Sequence, residues 1–181
     1  QKATGRIEKL IDAKSKDRSK CRLYIFEGNS AISATRKLRD PKTLGAYPLR
    51  GKVLNAYKTT LQQLSKNNEV INLMNAIGLE IGKKPKDLRY DKICICTDAD
   101  VDGLHIRNLL ITFFLQYFET LVQRGHLFIL ETPLFRVRNQ KTTKYCYNEG
   151  EKDFAVADLK SGKHFEITRF KGLGEISPKE F

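Results

Sequence analysis

Lys92 to Ile106 read KICICTDADVDGLHI, an apolar run holding two cysteines that leads straight into Asp98, Asp100 and Asp102. In an extended segment alternate residues point the same way, so these three carboxylates are expected to converge on one spot. Two carboxylates about 4 Å apart repel by roughly 4 kcal/mol at an effective dielectric near 20. Glu27, which closes another apolar run (CRLYIFE), would add to the crowding. Such a set needs protonation, neighbouring Lys or Arg, or a divalent cation. Carboxylate oxygens are hard ligands that suit Mg²⁺, with Mn²⁺ or Ca²⁺ as substitutes, better than zinc.

Three chemistries compete for this pattern. An EF-hand loop places Gly at its sixth position, where Gly103 falls counting from Asp98, but its twelfth position requires Glu and here is Leu109. A haloacid-dehalogenase-like phosphatase also opens with an apolar strand and D-x-D. It would expect Thr or Val where Asp102 stands, and it leaves Glu27 unexplained. The third reading joins Glu27 to the aspartates as a magnesium site acting on nucleic-acid phosphates. It also accounts for the rest of the composition: 33 Lys and Arg against 21 Asp and Glu, a formal net charge of +12. A balance this basic points to a polyanion, and nucleic acid is the commonest. Two readings remain without catalysis, a solvated acidic loop and a basic DNA-binding module that keeps its acids for structure.

The elements that must position these residues follow from periodicity. Residues 21–31 read as a short buried strand ending at Glu27-Gly28, then a turn and a helix start. Residues 36–52 read as an irregular basic loop, and 53–77 as two helices broken near SKNNE. After the strand at 92–97, Ile106, Leu109, Leu110, Phe113, Tyr117 and Leu121 recur at helical steps from Gly103 to before Gly125. Residues 126–137 read as a strand broken at Pro133. Strand–helix alternation predicts an α/β domain with a mainly parallel, Rossmann-like sheet flanked by helices, whose chemistry lies at the carboxyl ends of the strands. Cys21, Cys94, Cys96 and Cys146 fit no zinc spacing and are expected as buried free thiols in a reducing cytoplasm. No apolar run approaches the ~20 residues of a membrane span, so no membrane partner is expected. The polar start at Gln1, without Met, suggests a piece of something longer.

Several of these segments together resemble a known family. FEGNSA, YPLRGKVLNA (47–56), LRYDKICICTDADVDGLHIRNLL, RGHLFILETPLFRV and RFKGLGEI (169–176) stand in the order of the Toprim region of type IIA DNA topoisomerases, as in gyrase B and topoisomerase IV B subunits. Asn29 stands where that family usually has Asp, and TDADVDG is closer to its prokaryotic form. Both suit a divergent bacterial or bacteriophage member.

The resemblance implies a Toprim core over 21–137, preceded by a charged linker or surface helix (1–20). A tail or insertion (138–168) and the KGLGE segment (169–181) would follow. It implies Mg²⁺ held by Glu27, Asp98, Asp100 and Asp102, with Glu27 also catalytic in proton transfer at the leaving 3′ oxygen. Arg50, Lys52, Asn55, His105 and Arg107, in or beside the matched motifs, are the DNA-facing candidates. The nucleophilic tyrosine would lie on an A-type subunit or domain, in a heterotetramer-like assembly acting on double-stranded DNA in the cytoplasm. ATP would be bound elsewhere in the full-length enzyme and not by this chain, so the chain alone should be inactive.

Overall fold

A computed structural model of the chain describes residues 9–28, 40–50, 60–98, 100–159 and 164–170. Four strands, β1 (Arg22–Glu27), β2 (Leu44–Leu49), β3 (Lys92–Cys96) and β4 (Leu127–Leu130), form one parallel sheet in the order β2-β1-β3-β4. Both faces carry apolar residues, and among the described residues the helices that cover it pack on one of them. Leu23, Ile25, Tyr47, Leu49, Ile93 and Ile95 share one core. Phe26, Ala46 and Cys96 share another, with Tyr24, Cys94 and Leu130 packed against it.

Helices α1 (Leu61–Ser65), α2 (Asn68–Ile77), α3 (Val101–Tyr117) and α4 (Glu119–Gln123) follow their sequence signals. Thr60 and Gln63 form a capping box that opens α1, and Asn67 caps α2, which separates the two helices at the expected SKNNE break. The amphipathic stretch after the aspartates starts earlier than Gly103 and is divided at Phe118, whose backbone (φ −139°, ψ 47°) is not helical. All four cysteines are free; Cys21, Cys96 and Cys146 are buried and Cys94 half-buried.

The basic loop expected over 36–52 contains β2. Pro and Gly concealed it, and each has a positional reason. The Ala46 N–H and C=O both pair with Ile11 on the side away from β1 (2.9 Å each). Pro48, two residues on, therefore turns its missing donor to the same outer side, where no ladder bond is lost. Gly45 lies under the Tyr90 ring: a Cβ there would sit 2.4 Å from the Tyr90 hydroxyl oxygen.

That tyrosine anchors the charged lead-in, whose described part (9–20) holds one 3-10 turn, Arg18–Lys20, rather than a longer helix. Tyr90 is fully buried; its hydroxyl donates to the Asp12 carboxylate and accepts from the Ala13 N–H at 3.3 Å. Arg18 and Arg89 complete the cluster around Asp12. Burial alone would raise the Asp12 pKa, but hydrogen bonds from Tyr90 and Arg18 and the Arg89 charge hold it below its ordinary 3.8. Tyr90→Phe keeps the ring and removes the donor. It should cost about 1–3 kcal/mol, read as a melting temperature lower by about 2–10 °C.

Residues after Pro133 build a second, antiparallel sheet of β5 (Phe135–Arg138), β6 (Thr143–Cys146) and β7 (Glu166–Arg169), in the order β6-β5-β7. Helix α5 (Glu149–Leu159) lays Ala155 and Leu159 on Phe135, Val137 and Cys146, a small core of its own. Among the described residues no helix is long and apolar enough to cross a membrane.

Candidate functional site

In the parallel sheet β2 lies on one side of β1, while β3 and β4 lie on the other. The strand order therefore reverses between β1 and β3, the point at which open α/β sheets leave a crevice beyond their carboxyl ends. Glu27 is the last residue of β1, and Asp98 follows β3 by two residues. The Asp98 N–H donates to Glu27 Oε2 at 3.4 Å, which brings the two acidic strand ends together across that crevice.

The aspartates themselves do not alternate along an extended strand. Asp100 is the N-cap of α3: its carboxylate accepts the Gly103 N–H at 2.7 Å, and Val101 is already helical. The chain turns helical because a carboxylate at this position satisfies an otherwise orphan N–H. Asp102 consequently lies exposed in the first helical turn. Among the described residues no three His, Cys, Asp or Glu side chains already stand together as a metal site. What alternation was expected to do is divided between a strand end and a helix start. Gly103 lets the two meet, since a Cβ there would stand 2.0 Å from the Asp98 carbonyl oxygen.

Burial holds the Glu27 carboxyl above its ordinary 4.5, and the negative charges of Asp98, Asp100 and Asp102 add to that rise; the Asp98 N–H partly offsets it. The folded protein thus binds this proton more tightly than the unfolded chain does. The stability it gives is complete below 4.5 and is lost as pH rises through the raised folded value. In metal-free protein, Glu27→Gln should melt with the wild type at about pH 4 and a few degrees above it at about pH 8.

Arg50 follows β2 directly, on the same carboxyl edge as Glu27, which pairs in register with Leu49. Its N–H donates to Glu69 Oε2 at 2.9 Å, while its guanidinium stays 69% exposed and 3.7 Å from the other Glu69 oxygen. Arg107 lies further along α3, and its buried Nε has no hydrogen-bond partner. His105 is half-buried near the start of the same helix. Lys52, Asn55, Asn29 and the KGLGE segment lie outside the described residues. Asp98, Asp100 and Arg107 line a cleft of about 290 Å³ together with Leu130, Glu131, Thr132 and Tyr147. Neither Glu131 nor Tyr147 was singled out from sequence. Glu131 carried the weak signal of ending the quoted LFILE strand, whereas Tyr147 reaches the cleft only through the hairpin that follows β5.

Fold and site together define an α/β domain with a parallel sheet and an acidic carboxyl edge at its switch point. Residues 22–132 match the Toprim domain family. The B subunit of DNA topoisomerase 4 from Borreliella burgdorferi is 49% identical over 187 residues, an alignment covering all of this chain and 31% of that protein. The B subunit of DNA gyrase from Thermus thermophilus is 43% identical over 178 residues, 95% of this chain and 28% of its own length. The DNA-binding, cleavage and re-ligation domain of Plasmodium falciparum topoisomerase II superposes with a TM-score of 0.80 at 30% identity, covering 99% of this chain and 26% of that one. The chain belongs to the Toprim domain family, and its likeness throughout is to the B subunits of type IIA topoisomerases. It spans about a third or less of the length of these relatives.

Proposed function

We propose that this chain is the metal-binding region of a type II DNA topoisomerase, serving reversible double-strand cleavage and religation by a tyrosine carried elsewhere. The observation that carries this reading is the contact between Glu27 and the Asp98 backbone at the switch point of a Toprim sheet. The donor set fits Mg²⁺: four hard carboxylates, one of them, Glu27, held above its ordinary pKa by burial first and by the charge of the other three in addition. Glu27 and Asp98 would hold an ion nearest the scissile phosphate, and Asp100 and Asp102 a second. When bound, magnesium supplies charge stabilisation for the leaving oxygen.

The chain's own residues do the rest. Glu27, with its raised proton affinity, is suited to hold or release a proton at the 3′ oxygen. Arg50 and Arg107 offer guanidinium groups to phosphates on either side of the acidic pair, an arrangement supported by the exposure of one and the unpartnered Nε of the other. The partners on this reading are double-stranded DNA and an A-type subunit or domain with the tyrosine, in a heterotetramer-like, ATP-dependent assembly in the cytoplasm. The Toprim core expected over 21–137 would end before β5, because that strand joins the second sheet, and the second sheet with α5 would be the appended unit. The Toprim match leaves the phosphatase reading without support.

Calorimetric titration of the wild type with Mg²⁺ and Mn²⁺, beside Glu27→Ala and Asp98→Ala, tests the site. Loss of binding in both variants is the expected result. Wild-type affinity in Glu27→Ala would sever the two strand ends and sink the proposal.

A further inference from the structure

Among the described residues, six basic side chains gather on the edge opposite the acids. Arg22 begins β1 and Lys92 begins β3, and the two are register partners in adjacent strands. Lys42 precedes β2, with the Ser15 N–H donating to its carbonyl at 2.8 Å and the neighbouring Lys14 N–H donating to Pro41. Lys14 and Lys16 therefore lie beside the start of β2. Arg124 precedes β4, and the carbonyl of His126, just before that strand, accepts from the Ile93 N–H. All of these are exposed except Lys92, which is half-buried, and none forms an ion pair among the described residues.

Most of the acids on this edge are already engaged. Asp12 is held by Arg18 and Arg89, and Asp17 by Lys20 at 3.5 Å. Asp40 accepts from the Lys42 N–H and the Thr43 hydroxyl; Asp91 is the exception, since His126 Nδ1 meets its carbonyl oxygen at 2.6 Å and its carboxylate only at 3.7 Å. Lys92 Nζ lies over the Phe128 ring, 5.6 Å from its centroid, but like charges set directly across a strand pair are unfavourable on their own, so an outside anion would relieve Arg22 beside Lys92.

Length scales separate this edge from the metal edge. Five residues of strand, from Arg22 to Glu27, span about 16 Å at roughly 3.3 Å per residue. The Debye length at physiological ionic strength is about 8 Å. The cations here cannot neutralise the acidic crevice, and the acids cannot quench the cations. Across the edge, four strands about 4.8 Å apart give a stripe of roughly 14 Å, facing a duplex that carries one charge per about 1.7 Å of its axis.

We infer that the amino-terminal edge of the parallel sheet is a second, metal-independent binding surface for the phosphate backbone of double-stranded nucleic acid, apart from the duplex presented to Glu27 and Asp98. For the class of its partner it rests on the function proposed above. An anionic membrane surface is the competing occupant, but a single stripe of charge across the sheet edge matches the linear phosphate rows of a duplex better than a plane of headgroups.

The test uses Lys14→Gln, Lys16→Gln, Lys42→Gln and Arg124→Gln combined, all exposed and none in a strand, with unchanged thermal unfolding as the folding control. Affinity for a duplex of about 20 base pairs is measured in EDTA over a salt series; each lost phosphate contact should lower the log–log slope by about 0.9, or about 3.6 for all four. A slope equal to the wild type's overturns the inference. So does loss of binding to phosphatidylserine vesicles with the DNA slope unchanged, which would assign the edge to a membrane. Arg50→Gln with Arg107→Gln should lower the slope additively, as expected of two edges further apart than the screening length; a non-additive result would merge them into one site and overturn it. The Mg²⁺ titration of the quadruple variant should match the wild type. An unchanged slope with intact magnesium binding defeats only this inference, whereas a lost Glu27 and Asp98 metal site with the expected slope change defeats only the functional reading.

Discussion

Asp98→Ala, placed in the complete B-type protein together with its tyrosine-bearing partner, should abolish DNA cleavage while leaving the domain folded. Asp98 offers its carboxylate to the site and its N–H to Glu27, so alanine removes the first and keeps the second. The backbone geometry survives, and only the anionic ligand is gone. Losing a single preorganised electrostatic partner at a reacting phosphate or carbonyl commonly costs about 10²–10³ in rate, and a deletion that also weakens metal binding should exceed this. Cleavage complexes trapped with denaturant and counted on gels provide the measurement. Wild-type cleavage by Asp98→Ala would instead make the acids structural and the chain a non-catalytic basic module.

Gly103→Ala should be the most damaging conservative change in the domain, and its sign decides between two effects. By helix propensity alone, alanine in the first turns of α3 would stabilise by about 1 kcal/mol. Against this stands a Cβ 2.0 Å from the Asp98 carbonyl oxygen, a backbone atom with no side-chain torsion to relieve it. Overpacking of this kind costs about 1–3 kcal/mol, and the relief available is movement of the Asp98 peptide, the group that meets Glu27. The expected outcome is a melting temperature lower by several degrees together with weakened Mg²⁺ affinity in the same calorimetric titration. A melting temperature above the wild type's would mean that propensity wins and that the contact is not restrictive.

Much of this architecture was legible in the sequence because apolar runs and acids announce strand ends. CRLYIFE and KICICTD each end on an acid, and that coincidence alone identified the crevice. That the four cysteines are free followed from spacings that fit neither zinc nor a small disulfide scaffold, with the alternation of Cys94 and Cys96 in β3 in support. Two features were hidden for physical reasons. Strand β2 contains Gly45 and Pro48, residues that signal loops, and only the three-dimensional position of Tyr90 and the outer side of an edge strand make them tolerable. The division of the aspartates between strand and helix was hidden because one carboxylate has two uses. Asp100 reads equally well as a metal ligand and as an N-cap, and the start of a helix at Val101 is decided by the Gly103 N–H it accepts.

The pairing of Ile11 with Ala46 has a consequence for how this protein behaves in concentrated solution. An uncovered outer strand is a template on which a second copy can continue the sheet, the common route to ordered aggregates. On β2 that row is interrupted twice: Ile11 occupies the Ala46 donor and acceptor, and Pro48 has no donor to give. The lead-in therefore acts as a chaperone in cis for its own sheet. Shortening the protein to begin at the first strand would leave Ala46 unpaired and invite self-association through β2.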